Sequence, residues 1–108
     1  MHLHIAFAYT DKRLACIARH GDGSEIAVES REAEAPWCLY WQALIRALNM
    51  AVTWKATRLT LYTHHVAGDE RCDGWVGACD RLVERIPDGV EYVTIPIERN
   101  AALRMAER

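Results

Sequence analysis

The segment Leu59-Thr60-Leu61-Tyr62-Thr63-His64-His65 carries the strongest fold signal in the chain. Its first five residues form an apolar run that predicts a β-strand following a long amphipathic helix. Side chains just beyond the carboxyl end of such a strand commonly line the ligand crevice of an α/β protein. The sequence places two imidazole groups, those of His64 and His65, at that position.

The residues before this segment predict three strands and a helix. The first thirty residues alternate apolar and polar side chains, which predicts a meander of three antiparallel strands with breaks at residues 10–13 and 21–23. From residue 36 to residue 53, apolar side chains recur every three or four positions. This period predicts an amphipathic helix with Pro36 in its first position.

The residues after the segment predict two more helices and a fifth strand. Asp73 is predicted to cap a helix that ends at Pro87, and residues 90–97 predict a strand at the edge of the sheet. Asn100 is predicted to cap a terminal helix over residues 101–107. The whole chain, residues 1–108, is therefore predicted to be one α/β domain with the order β-β-β-α-β-α-β-α, a mixed sheet and helices on both faces.

Three segments in this order resemble the ribonuclease H superfamily. The stretch Tyr40-Trp41-Gln42-Ala43-Leu44-Ile45-Arg46-Ala47-Leu48 resembles the first helix of that family, and the segment Leu59–His65 is similar to its fourth strand. Residues 93–102 resemble the last strand and the entry into the final helix. The resemblance covers nearly the whole chain and implies a five-stranded sheet in the order 3-2-1-4-5.

The resemblance also implies where hydrolytic chemistry would take place. Family members cleave the RNA strand of RNA–DNA hybrids with two Mg²⁺ ions, which need several oxygen ligands and negative charges. In this chain the acid positions of the family fall on Asp11, Tyr40, His64 and either Leu103 or Arg104. Because only Asp11 is an acid, we do not expect two-metal hydrolysis. No cofactor is expected, except a divalent metal in the case of residual nuclease activity.

Composition narrows the classes of function. The chain has 108 residues with 51% hydrophobic content and a formal net charge of −2, so nucleic-acid binding requires a local basic patch. No apolar stretch approaches the length of a bilayer span and the first residues do not form a signal peptide, which predicts a cytoplasmic protein without membrane contact. The four cysteines lack a CxxC pair and are predicted to be reduced, mostly buried thiols: Cys16, Cys38, Cys72 and Cys79.

The histidine pair has three interpretations. The two rings can simply end the strand, they can contact phosphates or base edges, or they can form a transition-metal site with Asp11 or Cys72. Adjacent residues of an extended strand point to opposite faces, so both rings reach one ligand only if the strand has already ended.

The leading hypothesis is a catalytically degenerate ribonuclease H-like module that binds an RNA–DNA hybrid or a duplex. Tyr40 would line the crevice, and the predicted nucleic-acid contacts are Lys12, Arg13, Trp37, His64, Arg99 and Arg104. Two alternatives stay open. One is an interaction or scaffold protein that forms a homo-oligomer, such as a homodimer, without a nucleic-acid role. The other is a residual nuclease acting on hybrids through Asp11, His64 and a transition metal.

Overall fold

Five strands form one mixed sheet in a computed structural model that describes residues 1–68 and 71–108. The strands are β1 (His2–Tyr9), β2 (Arg13–Arg19), β3 (Glu25–Glu32), β4 (Arg58–Thr63) and β5 (Val90–Thr94). Their order across the sheet is β3-β2-β1-β4-β5. The first three strands pair antiparallel, whereas β4 runs parallel to both β1 and β5. The predicted strand order and mixed sheet are confirmed.

Helices cover the two faces of this sheet unequally. They are α1 (Leu39–Thr53), α2 (Asp73–Val83) and α3 (Ala101–Ala106). The larger core lies under α1 and α2, where β1 contributes Leu3, Ile5 and Phe7. On the opposite face α3 covers only a small cluster that includes Ala8 and Ile17. None of the helices within the described ranges is long and apolar enough to cross a membrane.

Helix α1 begins three residues later than the sequence predicts. Cys38 precedes the helix with a φ of 55°, in the left-handed region. A residue in that conformation cannot continue a right-handed helix backwards. Pro36 and Trp37 therefore lie in a loop before α1, and the prediction that Pro36 occupies the first helical position is wrong.

The prediction of four reduced thiols is wrong for two of the cysteines. Cys38 and Cys72 form a disulfide that joins the residue before α1 to the residue before α2, across a sequence separation of 34. The other two, Cys16 and Cys79, are free and buried as predicted. Burial raises the pKa of each of these two thiols to about 12, so both remain protonated and serve as small core residues.

The chain leaves the sheet earlier than predicted at its last strand. β5 ends at Thr94, and Ile97–Arg99 form a 3₁₀ turn that leads into α3. Pro96 has no N–H group to continue the strand ladder, which accounts for the early end. The predicted cap of α3 is confirmed, because the side-chain oxygen of Asn100 accepts a hydrogen bond from the backbone N–H of Ala102 at 3.1 Å.

Candidate functional site

A cluster of rings lies at the carboxyl ends of β1 and β4. This ring cluster consists of Phe7, Tyr9, Tyr40, His64 and His65. Tyr9 and His65 stack with their centroids 4.7 Å apart, and Phe7 meets the edge of Tyr40 at 5.6 Å. Because β4 ends at Thr63, the two imidazoles are not held on opposite faces, and their centroids lie 3.8 Å apart. The histidines therefore form part of a packed aromatic group.

Asn100 fixes the orientation of His64 from the start of α3. The Asn100 side chain is fully buried, and its amide nitrogen donates to the carbonyl oxygen of Phe7 at 3.1 Å and to Nδ1 of His64 at 2.9 Å. The amide orientation is set by the hydrogen bond that Oδ1 accepts from Ala102. Nδ1 of His64 is therefore an acceptor, and the neutral ring carries its proton on Nε2. That Nε2 atom is buried and has no hydrogen-bond partner within the described residues.

The surroundings of both imidazoles favour the neutral form. Burial, followed by the neighbouring His65, lowers the pKa of His64, and Glu107 opposes this shift. Burial also lowers the pKa of His65. At neutral pH the two rings are therefore neutral and packed within the ring cluster, and they bring no positive charge to a phosphate.

A buried glutamine holds the loop before α1. Nε2 of Gln42 donates to the carbonyl oxygens of Ala35 and Trp37 at 3.0 and 2.7 Å, and its Oε1 accepts from the N–H of Glu34 at 2.9 Å. The Gln42 side chain is only 1% exposed. This role of Gln42 was not predicted from the sequence. The sequence does show an amide side chain on an otherwise apolar face of the helix. It does not show which groups that amide bonds.

The loop presents Trp37 at the mouth of an aromatic crevice. This crevice has a volume of about 310 Å³ and is lined by Tyr9, Trp37, Tyr40 and Trp41, among others. The Trp37 side chain is 60% exposed, although its backbone is tied by Gln42 on one side and by the Cys38–Cys72 disulfide on the other. An exposed indole on a fixed backbone is suited to stacking against a planar ligand.

A charged cleft adjoins the aromatic crevice. It has a volume of about 450 Å³, and its charged lining consists of Asp11, Lys12, Arg13, Glu32 and Glu34. Pro36 lines both the cleft and the crevice, so the two are adjacent. The structure therefore brings the predicted contacts Lys12, Arg13 and Trp37 to one region, together with carboxylates that reduce its net charge.

The other two predicted arginine contacts lie elsewhere. Arg104 is exposed on α3, and its guanidinium donates to the carbonyl oxygen of Glu98 at 2.9 Å. Arg99 lines a separate cavity with Arg19 and His4, and no residue lines both this cavity and the aromatic crevice. The predicted basic contacts are thus not brought together in one region.

The residues at the family's acid positions do not fit a pair of Mg²⁺ ions. Asp11 is exposed in the β1–β2 turn, and burial raises the pKa of the Tyr40 phenol, which keeps it protonated. The sulfur of Cys72 is in a disulfide, so Cys72 supplies no thiolate to a metal ion beside His64. Within residues 1–68 and 71–108, no group of three or more His, Cys, Asp or Glu side chains is placed to hold a metal ion. Asp69 and Glu70 lie outside the described residues.

Comparison with known proteins identifies the fold. No protein-family model and no curated protein sequence matches the chain. Solved structures that are similar over 94% of the chain include two RNase H domains. One is RNase H1 from the halophilic archaeon Halobacterium salinarum NRC-1, with a TM-score of 0.72, 16% identity and 91% of that chain covered. Another is the N-terminal RNase H domain of Rv2228c from Mycobacterium tuberculosis, solved as a fusion with maltose-binding protein, with a TM-score of 0.75, 13% identity and 92% of that chain covered. The chain therefore has a ribonuclease H-like α/β fold. At these identities the likeness concerns the fold, and function has to be argued from the site.

Proposed function

We propose that this chain is a ribonuclease H-like module that binds nucleic acid without hydrolysing it. The observation that carries the proposal is the exposed Trp37 ring, held on a fixed backbone where the aromatic crevice meets the charged cleft. The four positions at which the resemblance calls for acids supply one carboxylate, that of Asp11. The region therefore favours contact with bases and phosphates over the binding of two metal ions.

Binding in this proposal combines stacking with a weak electrostatic contribution. Stacking of one base on an aromatic side chain contributes about 1–3 kcal/mol. Lys12 and Arg13 contact the phosphates beside that base, whereas Glu32 and Glu34 in the same cleft weaken the attraction. We expect modest affinity that is greatest at low salt.

An RNA–DNA hybrid or duplex is the ligand class that the resemblance implies. A base inside a duplex does not offer its face to Trp37, so the stacked base belongs to an end or an unpaired overhang. A cytoplasmic location also remains a prediction, and the disulfide makes it testable. Cytosolic thiols are normally kept reduced, so the redox state of Cys38 and Cys72 in cells reports on the compartment.

The proposal is tested by fluorescence anisotropy with labelled hybrid, duplex, overhang and single-stranded oligonucleotides at low salt. We expect Trp37→Ala to weaken binding by about tenfold. Trp54→Ala is the matched control, because Trp54 is also exposed, at 45%, but lies at the opposite end of α1. Lys12→Gln with Arg13→Gln should reduce the salt dependence. Absence of binding to every oligonucleotide at low salt would overturn the proposal.

The nuclease alternative is tested by the same substrates in a cleavage assay. A labelled RNA–DNA hybrid is incubated with the protein across a series of divalent metals, with Asp11→Asn as the matched variant. We expect no metal-dependent cleavage. Cleavage that disappears in Asp11→Asn would show that the module hydrolyses its ligand and would contradict the non-hydrolytic part of the proposal.

Self-association is the second candidate function, and one feature of the sheet favours it. β3 is an edge strand with unpaired backbone groups, and its Val28 side chain is 49% exposed. Charged neighbours on the same strand, Glu25, Arg31 and Glu32, oppose pairing of two such edges. Light scattering decides this point. A monomer over a wide concentration range would exclude self-association, whereas a dimer that Val28→Lys dissociates would support self-association through β3.

A further inference from the structure

A further cavity opens on the same sheet face as α3, over the part of that face that α3 does not cover. It has a volume of about 380 Å³, and its polar lining consists of His4, Arg19, His20, Tyr62 and Arg99. We name it the basic cavity. It shares no lining residue with the aromatic crevice or the charged cleft, so it is a separate feature of the molecule. Its volume lies within the range of about 300–1,000 Å³ that is typical of small-molecule sites.

Arg19 and Arg99 supply the positive charge of this cavity. No carboxylate is among its lining residues, and neither Arg19 nor Arg99 makes a side-chain hydrogen bond or ion pair within the described residues. Asp22, in the adjacent turn, accepts hydrogen bonds from the hydroxyl and N–H of Ser24 at 2.6 and 2.8 Å and is not among the lining residues. Two arginines therefore line one cavity with the donors of their guanidinium groups available.

Hydrogen bonds fix the imidazole side of the cavity. Nδ1 of His4 is bonded to the Tyr62 hydroxyl at 2.8 Å, and the His4 ring stacks on His2 at 4.3 Å. His2 is in turn bonded to the hydroxyl of Thr60 at 2.7 Å. The remaining nitrogen of His4, Nε2, lies beside the turn, because a Cβ built on Gly21 would stand 3.8 Å from it. The cavity thus has a preorganised polar wall.

We propose that the basic cavity binds a nucleoside phosphate. Arg19 and Arg99 take the phosphate, since a guanidinium matches phosphate oxygens with two parallel donors. The base lies against the Tyr62 ring and the apolar part of the lining, which is formed by Ala6, Ile17 and Ile95. His4 Nε2 contacts the ligand near Gly21. This ligand site goes beyond the proposed nucleic-acid contact, which uses a different region.

The test is binding of ADP, AMP, adenosine and inorganic phosphate, measured by calorimetry and by amide shifts in ¹⁵N-labelled protein. We expect ADP to bind more tightly than either phosphate or adenosine alone, with shifts centred on Arg19, Gly21 and Arg99. Arg19→Gln and Arg99→Gln should each weaken ADP binding at least tenfold. Arg85→Gln is the control, because Arg85 is exposed and lines none of the cavities described above.

A third variant probes the wall without removing charge. Gly21 has no positive φ, so Gly21→Ala is compatible with its backbone, and its new methyl group would lie in ordinary contact with His4 Nε2. We expect it to weaken ADP binding while leaving the melting temperature unchanged. If an arginine variant fails to fold, Gly21→Ala and the remaining arginine variant still decide the proposal.

The possible results separate this proposal from the nucleic-acid proposal. Absence of shifts with all four ligands overturns it, and so does equal affinity for inorganic phosphate and ADP, because the base would then contribute nothing. If only oligonucleotides bind and Arg19→Gln weakens them, the cavity belongs to the nucleic-acid surface and the small-ligand proposal is wrong. ADP binding that is lost in Arg19→Gln but kept in Trp37→Ala supports it, whatever the oligonucleotide result.

Discussion

The ring cluster and the basic cavity differ in whether their polar side chains are bonded within the protein. At the carboxyl ends of β1 and β4, His64 is held by Asn100, and the loop that presents Trp37 is held by Gln42. In the basic cavity the guanidinium groups of Arg19 and Arg99 have no protein partner within the described residues. The difference teaches that the polar side chains named in the first region hold the fold together, whereas the two guanidinium groups of the second are available to a ligand. Substitutions in the two regions should therefore affect different properties.

The largest effect on stability is expected at Asn100. Asn100→Ala removes the cap of α3 and leaves the carbonyl oxygen of Phe7 and Nδ1 of His64 without their donor. We expect a loss of about 3 kcal/mol in the free energy of unfolding, measured in urea. Asn100→Ser is the matched control, because serine caps helices well but has no amide group to donate to Phe7 and His64, so its loss should be intermediate. A loss below about 1 kcal/mol in Asn100→Ala would contradict this account of the ring cluster.

A smaller loss, about 2 kcal/mol, is expected for Gln42→Ala, which leaves two backbone carbonyls and one N–H of the loop without partners. Gln42→Met keeps the size of the side chain but neither donates nor accepts these hydrogen bonds, so it separates the loss of hydrogen bonds from the loss of packing. Tryptophan fluorescence should report greater solvent exposure of Trp37 in both variants. An unchanged spectrum together with unchanged stability would show that the loop is held by other contacts.

Acid should destabilise the fold through its histidines. The pKa values of His64 and His65 are lowered by burial in the folded chain, so the unfolded chain binds protons more readily. Their contribution is fully present above the unfolded pKa of about 6.5 and is lost as the pH falls from that value through the lowered pKa of the folded chain. We expect melting temperatures to decline as the pH falls below about 6.5. His64→Gln should flatten this profile, although His4, whose pKa is also lowered by burial, keeps part of it.

The smallest change in stability is expected in the basic cavity. Arg19→Gln and Arg99→Gln remove charges that have no protein partner, so the free energy of unfolding should stay within about 0.5 kcal/mol of the unsubstituted chain. Urea unfolding of these variants beside Asn100→Ala tests the comparison directly. A loss of stability in either arginine variant as large as that of Asn100→Ala would remove the distinction between the two regions.

The regular elements were predictable because their signals are local. The alternation of residues 2–9 and the three-to-four period of α1 identify a strand and a helix without any tertiary information. The strand order was predicted from the resemblance, and the structure confirms that order. Asn100 was also predictable as a cap, because capping is a contact between close neighbours in the chain.

Several features that escaped prediction depend on contacts that no local signal specifies. The start of α1 is set by a left-handed Cys38, and the disulfide requires Cys38 and Cys72 to meet, with Cα atoms 5.9 Å apart. The separation of Arg99 from Lys12 depends on the path of the chain after β5. The partners of Gln42 are backbone groups, and because every residue carries such groups, the sequence does not show which of them Gln42 bonds.

The Cys38–Cys72 disulfide gives the chain the topology of a closed ring with two tails. The ring holds α1 and β4, while β1 belongs to one tail and β5 to the other, although β4 lies between them in the sheet. Tension applied to the two termini passes through the sulfur–sulfur bond and bypasses every residue of the ring. A chain stretched under oxidising conditions is therefore shorter by roughly 110 Å than its reduced form, and the residues of β4 bear no load.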